Sequence, residues 1–297
     1  MKYSKSISTL TVIIVVFSLL ACLVGIFSNE GSGEYEIQSF HGETVKIYGR
    51  GIYKNDSVSV VAQGIAQDIV TLLLGIPLLA VSLYLSLKGS LRGRLLLAGT
   101  LGYFLYTYVS YTFLWMYNSL FLIYVIIMSA SFFAFTLTMM GFDIEKLGAL
   151  FSKKLPVKFI GGFEIFFSVA IGMMWLGRIA PTITEGAIPF GLDHYTTLVI
   201  QGMDLGFILP AAIIAGILLI KRKPFGYLLS SVIIIKSITL ATALTAMVIG
   251  QTLAGVQMGV GDIILFPLIN LVMIYCMILI LKNVKASNEP APVGFRK

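Results

Sequence analysis

Three ionisable residues, Glu164, Asp204 and Lys236, lie inside long apolar segments between Lys158 and Gly250. A charge at the centre of a membrane helix costs roughly 2.5–3.5 kcal/mol on insertion scales, so such residues face a partner or a wet cavity. Two acids and an amine suit two kinds of chemistry. One is a buried ion pair that fixes helix register. The other is a set of polar stations along a solute or proton path. At ~1.5 Å of rise per residue, Asp204 is roughly 13 Å below the outer start of its segment, Lys236 about 18 Å above Pro224, and Glu164 about 10 Å above the cytoplasmic end of its own. Lys236 is then near enough in depth to reach either carboxylate. Thr197, Gln201 and Asp204 follow at i, i+4 and i+7 and share one helix face. The expected polar core is therefore Asp204, Lys236 and Glu164 with Gln201 and Thr197.

A second set lies at the expected outer ends of the segments: Asp68, Arg178, His194 and Asp262. Polar side chains at the water interface are cheap and form a solvated rim. If the helices splay, they line a vestibule leading to Asp204. Gly259-Val260-Gly261-Asp262 matches the Gly-x-Gly-Asp pattern of membrane-embedded aspartyl proteases, with Asp204 as the second acid of a dyad. Met203 stands where those enzymes have Tyr, no Pro-Ala-Leu run follows, and the two aspartates sit at different depths. No catalytic residue is assigned on this basis. His41 and His194 are the only histidines, and Cys22 and Cys276 lie far apart in apolar runs. Neither a metal site, a disulfide framework nor a cofactor motif is expected.

The elements that hold these residues follow from composition. Of 297 residues, 58% are hydrophobic and 12% charged. A soluble domain carries about twice that charge, so this chain must hide apolar surface in lipid. Eight apolar stretches are long enough to span a bilayer: about 10–27, 66–87, 95–114, 120–140, 157–180, 196–220, 225–250 and 260–281. With the N-terminus inside, sixteen Lys and Arg fall in cytoplasmic segments, while Lys46, Arg50, Lys54 and Arg178 fall outside. That asymmetry obeys the positive-inside rule and supports eight spans with both termini cytoplasmic. The net charge of +7 is thus a loop property, with no basic face to bind nucleic acid.

The fold expected is an all-α membrane protein, a bundle of eight transmembrane helices. Residues 1–28 form an anchor helix, 29–56 an extracytoplasmic loop, 57–281 a seven-helix bundle and 282–297 a disordered cytoplasmic tail. Leu19-Leu20-Ala21-Cys22 matches a lipoprotein cleavage box, but Leu23 to Phe27 continues the apolar run, which favours an uncleaved helix. In the outer loop, the runs Val45–Tyr48 and Ile52–Lys54 flank Gly49-Arg50-Gly51, a hairpin signal with the glycines at the turn. Tyr103, Tyr106, Tyr108 and Tyr111 are read as packing and interface anchors. No internal repeat is evident, although four plus four spans would make two halves of the same orientation.

The run Ile47–Ser57, the pair Gly89–Arg94 and Gly102–Tyr106, and Lys221–Leu229 resemble segments of a family of bacterial multi-pass integral membrane proteins that has no assigned activity. The resemblance implies location in the cytoplasmic membrane and brings no functional residue with it. The function expected is a small-solute or proton-linked permease using the Asp, Lys and Glu cluster, with the bilayer and a solute or protons as partners. A non-transporting scaffold or sensor acting through the outer loop is the alternative, and an intramembrane aspartyl protease the third.

Overall fold

The computed structural model describes residues 2–256 and 259–285, the side chains of Val260 and Asp262 excepted. Eight long helices make the bundle: α1 (Ser4–Phe27), α2 (Val58–Leu87), α3 (Leu91–Phe113), α4 (Phe121–Met140), α5 (Val157–Thr184), α6 (Val199–Ile220), α7 (Pro224–Leu253) and α8 (Val260–Lys282). Seven of them are long and apolar enough to cross a membrane. The exception is α3, which carries two arginines and four tyrosines. It is also the helix with most of its residues buried, because α2, α4 and α7 enclose it. A helix surrounded by protein can keep hydroxyls that a lipid-facing one cannot, provided they find partners.

The outer loop corrects one expectation. The hairpin is β1 (Tyr35–Gln38) with β2 (Thr44–Ile47), antiparallel, Tyr35 opposite Ile47. Its turn is therefore Ser39–Glu43, and Ile52–Lys54 is not a strand. Gly49 and Gly51 have φ of 70° and 58° and mark a backbone crossing instead. Gly33 N–H donates to Gly49 O (3.3 Å) and Gly51 N–H to Glu30 O (2.7 Å). A Cβ on Gly49 would run into the Gly33 carbonyl, so no other residue fits this conformation and this approach. The chain then turns inward and drives Tyr53, 2% exposed, into the first half of the bundle.

A second correction is an internal repeat. A constant offset of 133 residues, the separation of Thr71 from Asp204, carries the π-helical segment Thr71–Gly75 of α2 onto Asp204–Ile208 of α6. It also carries Ile76–Leu87 onto Leu209–Ile220, and the start of α3 at Leu91 onto the start of α7 at Pro224. The turns match bond for bond. Gly89 N–H donates to Ser86 O and Ser90 N–H to Leu85 O; Arg222 N–H donates to Leu219 O and Lys223 N–H to Leu218 O. Gly89 and Arg222 are both left-handed, at φ 84° and 53°. Gly93 and Gly226 fill equivalent places, each too close to the preceding helix's backbone to bear a Cβ. The central crossing of α3 and α7 sets Gly99 against Val232 O and Ile235, and Gly99 and Val232 are equivalent positions. Two equivalent positions thus face each other where α3 and α7 cross.

The halves differ in closure. In the first, α1 packs along both α2 and α4, and the outer part of α2, Val58–Val70, packs along α7. In the second, α5 packs along α6, while its meeting with α8 is slight and includes the Phe159 and Tyr275 rings at 6.0 Å. The outer part of α6, Val199–Met203, barely touches α3. At the other end, Val284 bridges Phe151, and Lys285 Nζ donates to Ala149 O (2.7 Å). So Asn283–Lys285 of the stretch read as a tail is docked; residues 286–297 lie outside the described ones.

Candidate functional site

Asp204 opens the π-helical segment of α6, and its two oxygens are held from two helices. Tyr106 of α3 donates its hydroxyl to Oδ1 (2.9 Å) and Trp175 of α5 donates its indole N–H to Oδ2 (3.0 Å). Lys236 of α7, 5% exposed, places Nζ 3.7 Å from the centroid of the Tyr106 ring. The amine and the acid thus meet opposite parts of one tyrosine, the ring face and the hydroxyl. The expected direct pairing of Lys236 with a carboxylate is not formed. The salt bridges among the described residues, Lys46–Glu34 and Lys146–Asp143, are on the surface. The physical reason is that Tyr106 projects from α3 between α6 and α7. A cation over a desolvated ring gains about 2 kcal/mol or more, which offsets part of the ammonium's burial.

Glu164 of α5 is 4% exposed and accepts a hydrogen bond from Ser230 Oγ at Oε2 (2.7 Å), while Oε1 has no partner. Lys236 does not reach it. Thr239, three residues beyond Lys236 on α7, is fully buried with its hydroxyl unpartnered; Asn270 of α8 donates to Thr242 Oγ1 (3.0 Å) and leaves Oδ1 free. Gln201 is buried. Thr197 is exposed and lies before α6 begins at Val199, so the expected polar face of Thr197, Gln201 and Asp204 loses its first member. On the exposed faces of α5 and α6, a Cβ added to Gly177, Gly202 or Gly206 would meet nothing within 4 Å.

The first half holds the counterpart. Thr71 occupies the place of Asp204 and Tyr103 that of Lys236, and their hydroxyls are 2.7 Å apart. Gln67 Nε2 donates to Tyr103 Oη (2.6 Å) and Thr107 Oγ1 (3.3 Å). Asp68 accepts from Tyr53 Oη (2.6 Å) and Tyr111 Oη (2.9 Å). Cys22 of α1 sits against the Tyr108 hydroxyl at 4.0 Å. Asp68 is 2% exposed, which corrects its placement in an outer vestibule. The close cover of α1, α4 and the inserted Tyr53 removes it from water.

Sequence reasoning missed Tyr106 and the tyrosines on Asp68, because a tyrosine in an apolar run reads as packing until its hydroxyl's neighbour is known. The alternation of charge on α6 and α7 with a mid-helix tyrosine on α3 was the only signal.

At the outer end, Asp56 Oδ1 accepts from Met116 N–H (3.0 Å) and Tyr195 Oη (2.9 Å). Burial pushes this carboxyl up to about 7, against the pull of those two donors. His194 Nε2 is 2.9 Å from Asn55 O, and His41 Nε2 is 3.3 Å from Tyr195 O. A cleft of about 480 Å³ opens between the hairpin, residues 113–117 and residues 194–196. His194 lines it, and Arg178 reaches toward Gly191 nearby, its Nε unpartnered. Asp262 is in the first turn of α8, but its side chain lies outside the described residues. Among the described residues no cluster of His, Cys, Asp and Glu could hold a metal ion. No family model, curated protein or solved structure matches this chain.

Proposed function

We propose that the chain is an eight-span permease of the cytoplasmic membrane for a small solute or protons, with its working site in the second half. The observation that carries this reading is the state of Lys236. It is buried, seated on the Tyr106 ring, and has no carboxylate contact. A pair that merely fixed register would be joined, because the desolvation cost of two separate buried charges is offset only by close contact and full hydrogen bonding. Here the acid, the ring and the amine form a relay between α6, α3 and α7, with Glu164 on the inner side. The π-helical segment that begins at Asp204 adds to this, since such bulges cluster at functional sites and give a helix a point of adjustment.

In this reading a solute or proton enters beside α6, exchanges with Asp204, and passes Thr239 and then Lys236 toward Glu164. α3 counts as the eighth span, since 23 residues reach ~35 Å. The test is a double variant reconstituted in vesicles with a trapped pH dye. Lys236→Met alone leaves Asp204 without its nearby cation and is expected to lower folded yield. Lys236→Met with Asp204→Leu is expected to restore folded yield while flux stays at background. Recovery of both together would reduce the cluster to a structural role and end the transport reading.

A further inference from the structure

A groove runs along the outside of the first half, between α1 and the inner part of α2. Val12 and Val15 form one wall and Ala80, Leu83, Tyr84 and Leu87 the other, around about 300 Å³. The walls are open to an occupant: Val12, Tyr84 and Leu87 are 56%, 55% and 46% exposed, and Ala80 is exposed as well. With the N-terminus inside, the groove lies in the cytoplasmic leaflet. Its length fits that leaflet. From Lys5 to Val15, α1 rises about 15 Å, half of a bilayer core of ~30 Å. From Lys88 back to Ala80, α2 rises about 12 Å. An acyl chain lying along the two helices would therefore end where the groove ends.

The mouth of the groove is basic. Lys88 Nζ is 4.6 Å from the centroid of the Tyr84 ring, so this cation is seated on a wall residue. Lys5 is exposed and shares the α1 stripe of Val12 and Val15, at i, i+7 and i+10. No acid occurs in residues 1–28 of α1 and its lead-in, in 69–87 of α2, or in 88–94, which turn into α3. The neighbouring elements do not reverse the sign. Lys2 precedes α1, and α3 brings Arg92, which donates to Val284 O (2.8 Å), and Arg94, which lies 5.7 Å from the Phe142 ring centroid. The segment after α4 brings Asp143 and Glu145, with Lys146 paired to Asp143 at 3.0 Å. Basic pockets between helices on the cytoplasmic side select lipids with anionic headgroups.

We propose that this groove is a binding site for one anionic phospholipid of the cytoplasmic leaflet, its acyl chain between Val12 and Ala80 and its phosphate between Lys5 and Lys88. The site stands whether or not Asp204 and Lys236 conduct, because it shares no residue with them. Native mass spectrometry of the full chain in dodecyl maltoside tests it, reading the first lipid bound as phosphatidylglycerol, or phosphatidylcholine of the same acyl chains, is added. The first phosphatidylglycerol is expected to bind at least tenfold more tightly than the first phosphatidylcholine. Lys5→Gln with Lys88→Gln is expected to bring phosphatidylglycerol down to the level of phosphatidylcholine. Ala80→Trp keeps both lysines and fills the groove from an exposed position; it is expected to weaken the first phosphatidylglycerol at least tenfold. Both variants change only exposed side chains, and should one fold poorly the other carries the test. Equal affinity for the two lipids in the wild type, or undiminished phosphatidylglycerol affinity in whichever variant folds, would overturn the proposal. So would a lipid-free dimer held through this face, since a second copy would then be the occupant.

Discussion

Thr71 with Tyr103 and Asp204 with Lys236 occupy equivalent places in the two halves, one step into equivalent π-helical segments, yet their surroundings have opposite character. In the first half the polar groups beside the segment, Gln67, Asp68 and Tyr103, have partners close by, although the Thr11, Tyr124 and Ser131 hydroxyls of that half are buried without one. Tyr53 is pushed in from the outer loop to serve Asp68, and α1 closes the side. In the second half the acid is held by two donors from different helices, the amine rests on a ring, and Glu164 Oε1, Thr239 Oγ1 and Asn270 Oδ1 are unpartnered. The first repeat ties its acid, Asp68, into a buried hydroxyl network, whereas in the second an acid, Glu164, keeps one oxygen without a partner. A fully satisfied buried network rigidifies, whereas a partly satisfied one is costly and is kept for a reason.

The sharpest way to break this contrast is to remove the acid from each half. Asp68→Leu leaves the Tyr53 hydroxyl buried without an acceptor, at about 1–3 kcal/mol, and leaves Tyr111 only the Gly64 carbonyl (3.1 Å). Folded yield in detergent is expected to fall severely. Asp204→Leu also frees two donors, Tyr106 Oη and Trp175 Nε1, but at a site only partly buried, where an unpaired donor costs less than in a sealed core. It is expected to keep most of its folded yield while any flux is lost. Equal folding losses in the two variants would show that the halves are equally structural.

Glycines sharpen the comparison at a smaller scale. A Cβ on Gly25 of α1 would strike the Asp68 carboxylate and the Tyr53 hydroxyl. Gly25→Ala is expected to cost a few kcal/mol, about 1–3 from overpacking alone. Gly202→Ala on α6 meets nothing. It is expected to be neutral or to stabilise by about 0.5–1 kcal/mol, the ordinary gain for Ala over Gly in a helix. Chemical denaturation of the two purified variants reads both signs. Destabilisation by Gly202→Ala would mean that this exposed face of α6 is covered, against the open space beside it.

The helical, membrane-compatible character of the chain was legible because burial in lipid forces long apolar runs. Glu164, Asp204 and Lys236 were legible for the same reason, since charges there are rare. Their partners were not. Nothing in spacing says that Tyr106 of α3 stands between α6 and α7, because that depends on which helices cross at Gly99. The repeat was hidden too. Aligned at its offset, identity rests on a few positions, Leu72, Pro77, Leu85, Lys88, Gly93, Leu95 and Leu96 against Leu205, Pro210, Leu218, Lys221, Gly226, Leu228 and Leu229. In helices built from interchangeable aliphatics such matches are cheap, and only the shared turn and π-helical segments give them meaning. The hairpin was misplaced because two glycines read equally well as a turn and as a crossing.

The smallest effect concerns the outer clasp, where the halves meet through Asp56 of the first and Tyr195 of the second. Burial raises the Asp56 carboxyl in the folded protein to about 7, above its ordinary 3.8. Folding thus favours the protonated acid. The stability this contributes is present in full below about pH 4 and is lost as pH rises through about 7. The clasp is therefore expected to loosen between pH 5 and 8, which hydrogen exchange of residues 114–117 and 193–196 would report as faster opening at the higher pH, after correction for intrinsic rates. Asp56→Asn keeps an acceptor oxygen for Met116 N–H and Tyr195 Oη but has no proton to lose. It is expected to hold the clasp equally well across that range and so to flatten the dependence. If the variant opened faster with pH just as the wild type does, another group would set the dependence, and the contact between the halves at this end would not titrate.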